Sequence, residues 1–386
     1  MHTTPRNHCT APARPHLANT RQTRRRLTSV ALAAALGALA ASPLQAADLT
    51  WVGRGGGSWS DAANWALPGG QPARPTANDL LIFSAPTGSF SVVDFFTAPA
   101  GLLFQAGAGA STIIGIGIDI AIGARGITNL SNERQTIKAG LRAQGQQTWD
   151  GGSAGILYRP DFDSQRFNPP GQGGPVTDGA SLSLARNVTV EQSAFALKLG
   201  VLGSAQLTVL DGSSVSAQSI TLGEGSFAQG VLSVRGNTSS ASAVADLVVG
   251  NWGAGTLNVE GGALVSSGGQ GALGSIDDVT GRGVATVTGA GSHWSIGLDL
   301  LASNGALSVA DGGLVTARNG VIGGTWGRSA HITVGGADSR LSFAESLAVG
   351  LGRVGTLSVL DGGTVRTRAL AIGAYGVVNL QGGTLQ

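Results

Sequence analysis

Along the second half of the chain, apolar and polar positions alternate in a short motif that keeps returning. The triplet reads Leu182-Ser183-Leu184, Leu207-Thr208-Val209, Leu232-Ser233-Val234, Leu257-Asn258-Val259 and Ala285-Thr286-Val287. It continues as Leu307-Ser308-Val309, Ile332-Thr333-Val334, Leu357-Ser358-Val359 and Val378-Asn379-Leu380. Successive copies are 25, 25, 25, 28, 22, 25, 25 and 21 residues apart, so one insertion and one deletion of three residues cancel. The middle residue is always Ser, Thr or Asn. Period-two alternation marks a strand whose outer triplet residues face a core and whose middle residue faces out.

Each period holds two further short strands. Asp211-Gly212, Asp311-Gly312 and Asp361-Gly362 follow the triplet as tight-turn dipeptides. Second strands are predicted at 214–217, 314–317 and 364–367. A third segment ends in apolar residues before Gly, as in Ile220-Thr221-Leu222-Gly223 and Leu347-Ala348-Val349-Gly350. Three strands and three corners in about 25 residues predict one coil of a right-handed parallel β-helix, whose inner face is buried only when the next coil stacks on it. Propeller blades need roughly 40–50 residues each, and a sandwich would not hold such a register through nine copies.

Residues 47–179 are less regular. Trp51, Trp59 and Trp65 fall within fifteen residues, and covering the open end of the solenoid core is their first expected role. The sharper alternative is a platform for stacking sugars. Asn78-Asp79-Leu80-Leu81-Ile82-Phe83 reads as an early strand, and 113–122 alternates Ile with Gly and small residues. Segment 156–179 breaks the pattern with Pro160, Pro169, Pro170 and Pro175 beside Tyr158, Phe162 and Phe167, either a projecting binding loop or a passive linker. The expected organisation is therefore a leader (1–46), an N-terminal cap with the first strands (47–100), an irregular solenoid ending in the Pro-rich loop (101–179) and a regular solenoid (180–386).

The leader changes the charge. Arg21, Arg24, Arg25 and Arg26 precede the apolar run 27–40, and Gln45-Ala46-Ala47 supplies a small-residue cleavage site, the features of a secretory signal peptide. Six of the 24 Lys and Arg, and none of the 22 Asp and Glu, lie in it, leaving 18 basic against 22 acidic residues and a net charge of −4. Nucleic-acid binding thereby loses its electrostatic support. The single cysteine, Cys9, also lies in the leader, so disulfides are not expected to brace the exported chain. With 63 Gly and only 12% charged residues, composition agrees with a turn-rich all-β fold.

The Trp-rich opening, Gly126-Ile127-Thr128-Asn129 with Gln135-Thr136-Ile137, and Gln147-Thr148-Trp149 resemble the start of bacterial autotransporter passengers with autotransporter-associated β-strand repeats. Units such as Gly355-Thr356-Leu357-Ser358-Val359 through Ala371-Ile372-Gly373 are similar to the repeat shared by type V secretion and PEP-CTERM proteins. The resemblance implies export and display of a β-helix at a Gram-negative cell surface, either outer membrane-associated or extracellular. It also implies adhesion to a host or neighbouring cell, or to a glycan. Membrane attachment would come only through a C-terminal barrel or anchor outside this sequence, and the chain ends inside a repeat at Thr384-Leu385-Gln386, as a fragment would.

Candidate chemistry is sparse, and a structural or adhesive rod without catalysis is the expectation. Beyond the leader only His293 and His331 remain, at different points of the repeat, which predicts neither a metal site nor a catalytic triad. Gly151-Gly152-Ser153-Ala154-Gly155 matches G-x-S-x-G without a strand–turn–helix setting, and no cofactor motif stands in its proper context. Two alternatives stay open. Asp277-Asp278, in the coil that gains three residues, would serve a polysaccharide lyase or hydrolase as a carboxylate pair. Trp51, Trp59 and Trp65, or Tyr158, Phe162 and Phe167, would serve a carbohydrate-binding rod.

Overall fold

The nine triplets lie directly above one another. In the computed structural model, which describes residues 46–53, 57–160, 175–176, 178–275, 280–324 and 328–386, they fall on one face formed by a fifteen-stranded sheet. Leu182 pairs with Leu207, Leu207 with Leu232, Leu232 with Leu257 and Leu257 with Ala285. The register continues through Leu307, Ile332 and Leu357 to Val378, always in parallel. The 28- and 22-residue steps leave it intact because their length change is taken up outside the strands. Eight residues separate Gly271–Leu273 from Arg282–Thr288, whereas two separate Asp299–Ala302 from Gly305–Ala310.

Two more parallel ladders complete each coil. On the second face Ser214–Ala217 stacks on Ser240–Ala243, Leu264–Ser267 and His293–Ile296. On the third, Ile220–Leu222 stacks on Leu247–Val249, Gly271–Leu273 and Asp299–Ala302. The strands Leu314–Ile322 and Arg340–Val349 run across both faces with a register shift between Ala317 and Asn319, joining the two ladders around a corner. The chain thus winds as a solenoid of about 25 residues per coil, and Ala46–Gln386 forms one unit. Among the described residues no helix is long and apolar enough to cross a membrane.

Turn chemistry sets the corners. Asp211 and Gly212 have φ of 53° and 80°, and Asp361 and Gly362 have 49° and 89°, the left-handed pair that a two-residue type I′ turn requires. At the opposite corner Gly223 has φ of 69°, and a Cβ there would sit 2.4 Å from the Ala254 carbonyl oxygen, so the next coil can approach only because this residue has none.

The interior is a set of apolar columns. In the coil that begins at Leu232, the side chains of Leu232, Val234, Ala241, Ala243, Leu247 and Val249 are all buried. Each Leu or Val so buried contributes about 1.5–3 kcal/mol relative to exposure, which makes stacking the main stabilising term. Apart from the buried Ser233 and Ser358, the middle triplet residues are at least partly exposed, and Asn258 Nδ2 donates to Ser233 Oγ on the coil below at 3.1 Å.

Toward the N-terminus the same coil is filled differently. Trp51 and Trp59 each meet Trp65 edge-on, with ring centroids 4.9 and 5.4 Å apart, and Phe83 stacks on Phe104 at 5.1 Å. Trp65–Ala66 pairs antiparallel with Asp48–Trp51 and so occupies the strand edge that the first parallel rung would otherwise expose. From here the columns change phase. Leu49, Leu81, Leu102, Ile127 and Trp149 stack in turn, and Trp149 pairs with Leu184, the second apolar residue of the first triplet. Leu182, the first, stands over Gln147.

Buried polar side chains make this shift possible. Gln147 Nε2 donates to the Ile122 carbonyl at 2.7 Å and its Oε1 accepts from Trp149 Nε1 at 2.8 Å. Asn129 donates to the Glu133 and Gly155 carbonyls and accepts from Ser131, while Gln135 donates to Ser131 Oγ and accepts from the Ser111 amide. A buried amide with its bonds made can stand where an apolar column ends.

Two expectations are refined. The segment expected as a loop from residue 156 begins as strand, because Ile156–Tyr158 pairs with Gln135–Ile137 and with Val188–Gln192; residues 161–174 and 177 lie outside the described part. The parallel ladder of the first face runs past positions 100 and 179 without a break, so both mark changes in regularity inside one unit.

Candidate functional site

The three N-terminal tryptophans offer no face to solvent. Trp51, Trp59 and Trp65 are buried, and their indole faces are taken by one another and by Phe83. Trp59 Nε1 donates to Ser91 Oγ at 3.0 Å, and Trp65 Nε1 donates to the Trp59 carbonyl at 3.2 Å. A sugar cannot stack on rings that already fill the end of the core.

Tyr158 is likewise an interior residue. It meets Trp149 edge-on at 5.6 Å, and its hydroxyl oxygen accepts from the Leu141 amide at 3.3 Å. Burial pushes its phenol well above the usual value of 10. Phe162 and Phe167, and the pair Asp277 and Asp278, lie outside the described residues.

The remaining titratable groups are separated. His293, on the second face, has Nε2 2.9 Å from Thr316 Oγ1, and burial lowers its pKa. His331 is on the first face with Nε2 2.9 Å from Thr333 Oγ1. Ser153 stands exposed in a turn between Gly151 and Gly155, and the Asn187 amide donates to the Gly152 carbonyl at 3.0 Å. Charged pairs bridge neighbouring coils instead: Lys198 to Glu224 at 2.8 Å, Arg235 to Glu260 at 3.1 Å and Arg186 to Asp150. Among the described residues no three His, Cys, Asp or Glu side chains converge on a metal-sized site.

Two surface features escape a search for motifs. The first is at the corner between the third and first faces, where Leu202 (76% exposed), Phe227 (95%) and Trp252 are exposed at intervals of 25 residues; Leu351 and Tyr375 are exposed at the same corner in later coils. Its period is that of the triplet, so the signal was present in the sequence one corner away from the core positions.

The second is a groove on the outer side of the first face. Beside the two-residue connection at 303–304 lies a cleft of about 770 Å³. Its lining includes Arg282, Asn304, Arg328, Ser329, His331 and Thr356. Asn304 Nδ2 donates to the Gly281 carbonyl at 2.8 Å, tying the short corner to the coil before it. No Asp or Glu is among the described lining residues, and neither arginine has an ion-pair partner among the described residues. The cancelling 28 and 22 steps were legible in the sequence; that a cleft lined by Arg282 and Arg328 lies beside the short corner was not.

No protein-family model matches the chain, and no solved structure does. Over 95 residues, 24% of its length, the chain is 37% identical to the Adhesin BmaC autotransporter of Brucella suis biovar 1 (strain 1330). The matched stretch spans 3% of that much longer protein.

Proposed function

We propose that this chain is part of the exported, surface-displayed passenger of an autotransporter-like protein of a Gram-negative bacterium, a stiff adhesive rod that performs no catalysis. The observation that carries the reading is the parallel solenoid itself, supported by 37% sequence identity over 95 residues to an autotransporter adhesin. A solenoid suits the role physically. Each coil is held by its two neighbours, so length can grow without a larger core, and the outer faces carry binding groups at fixed spacing. The signal-peptide pattern at 1–46 agrees with export.

The test is adherence. Bacteria lacking the gene are expected to bind cultured cells or a glycan-coated surface at least several-fold less than the parent, and antibody against the 180–386 region is expected to label intact parent cells. Equal adherence together with absent surface labelling would overturn the reading. A glycan-cleavage assay with the purified chain addresses the catalytic alternative; turnover abolished by Asp277→Asn with Asp278→Asn would replace the passive rod with an enzyme.

A further inference from the structure

We propose that cleavage of the leader after Ala46 creates an ion pair that locks the first rung of the solenoid, between the new α-ammonium group of Ala47 and the buried carboxylate of Asp79. This goes beyond the adhesive reading and rests on it only for export, the step at which the leader would be cut.

Asp79 stands immediately before the strand Leu80–Phe83 and is 2% exposed. Its Oδ2 accepts from the Thr76 amide at 2.6 Å and from Thr76 Oγ1 at 2.8 Å, and its Oδ1 accepts from the Ala47 backbone nitrogen at 2.8 Å. Among the described residues no Lys or Arg pairs with it, and the neighbouring Asp48 has Arg125 at 3.4 Å. A carboxylate enclosed in this way has lost its water, and neutral donors alone leave its charge uncompensated.

The nitrogen of Ala47 is placed to supply the missing charge. In the uncut chain it is a peptide N–H, a single donor without charge. Hydrolysis of the bond between Ala46 and Ala47 adds one water. Ala46 gains the oxygen and departs as a carboxylate, and both protons of the water pass to the nitrogen of Ala47, which becomes an ammonium group at any pH below about 7.7–8. The same 2.8 Å contact is then a charge-assisted bond.

Local geometry makes the position of the cut matter. The Leu80 amide donates to the Ala47 carbonyl at 2.9 Å, and the parallel ladder with Leu80–Phe83 starts at the next residue, Asp48. Ala46 is exposed and Ala47 half-buried. A cut one residue earlier would leave the ammonium in solvent, and a cut one residue later would remove the donor. The processed chain therefore holds Asp48–Trp51, and with it Trp51 of the aromatic end, more firmly than the precursor does.

The experiment first sequences the N-terminus of the protein recovered from the surface of the parent bacterium, which should read Ala47-Asp48-Leu49. The purified chain 47–386 is then compared with its α-amine free and with that amine enzymatically acetylated. The acetyl group takes the place of the Ala46 carbonyl, so the hydrogen bond stays and the charge goes. At pH 6.5, below the ordinary α-amine value of about 7.7–8, amide hydrogen exchange in Asp48–Trp51 should be at least about ten-fold faster in the acetylated chain. Asp79→Asn should bring the two forms together, whereas Asp48→Asn, which removes the exposed pair with Arg125, should leave their ratio as in the parent. The proposal is overturned if the exported chain begins at another residue, if the free and acetylated parent chains exchange alike, or if the ratio survives Asp79→Asn. Should Asp79→Asn fail to fold, the comparison of the two parent forms decides by itself. A surface-labelled protein that begins elsewhere removes the ion pair and leaves the passenger, whereas a chain that never reaches the surface removes both.

Discussion

Between residues 48 and 158 the aliphatic interior is joined by Trp51, Trp59, Trp65, Phe83, Phe104, Trp149 and Tyr158, interspersed with buried Asn129, Gln135 and Gln147. Between 181 and 360 it is packed chiefly with Leu, Val, Ile and Ala in straight columns, Trp294 and Phe343 being the large exceptions. Both stretches build the same first face with the same parallel pairing. The difference teaches that coil geometry does not depend on one kind of filling. Aliphatic columns suit coils of constant phase, because each side chain meets its counterpart one rung away. Where the phase shifts between Ile127 and Trp149, unlike residues become neighbours, and large rings with hydrogen-bonded amides fill spaces that a repeated Leu would not.

The largest effect is expected at the aromatic end. Trp65→Ala removes the ring shared by Trp51, Trp59 and Phe83 and should cost about 3–5 kcal/mol, read as a lowered denaturation midpoint with changed tryptophan fluorescence. Leu257→Ala in the regular stack should cost about 2–5 kcal/mol, but its damage should stay local. Amide hydrogen exchange should accelerate in the coils of Leu232 and Leu257 while strands 101–104 and 126–129 keep their protection. If both substitutions melt the whole rod equally, the two stretches are not separable.

Smaller effects sharpen the contrast further. Asn129→Ala removes the acceptor of the buried Ser131 amide and hydroxyl and one of the donors to the Gly155 carbonyl and should cost about 1–3 kcal/mol; Asn258→Ala, which loses one part-buried bond to Ser233, should cost less. A larger loss at Asn258 would show that the polar ladder, and not the buried network, holds the coils in register.

The pH dependence of stability should also differ. Tyr158 keeps its proton in the fold to a pH above its unfolded value of 10, so its contribution is complete below pH 10 and declines as pH rises past that point. Tyr158→Phe should cost about 1 kcal/mol at neutral pH, from the lost acceptor for the Leu141 amide. It should also flatten the fall in the denaturation midpoint between pH 9 and 11. An unchanged slope would mean that the phenol already meets solvent.

The alternation of the triplet, the Asp-Gly corners and the 25-residue period established which residues face inward, where the coil turns and that coils stack in parallel. Those properties follow from local stereochemistry repeated many times, and repetition is visible in one dimension. The sequence left open whether Trp51, Trp59 and Trp65 display their faces or hide them. It also did not show that Trp149 rather than Gln147 continues the column ending at Leu184, or that a cleft lies beside the short corner at 303–304. These depend on which side chains meet across a coil, and that is decided by the length of each corner and by the volume left to fill. Packing between residues 20 to 35 positions apart makes that choice, so only the folded stack could reveal it.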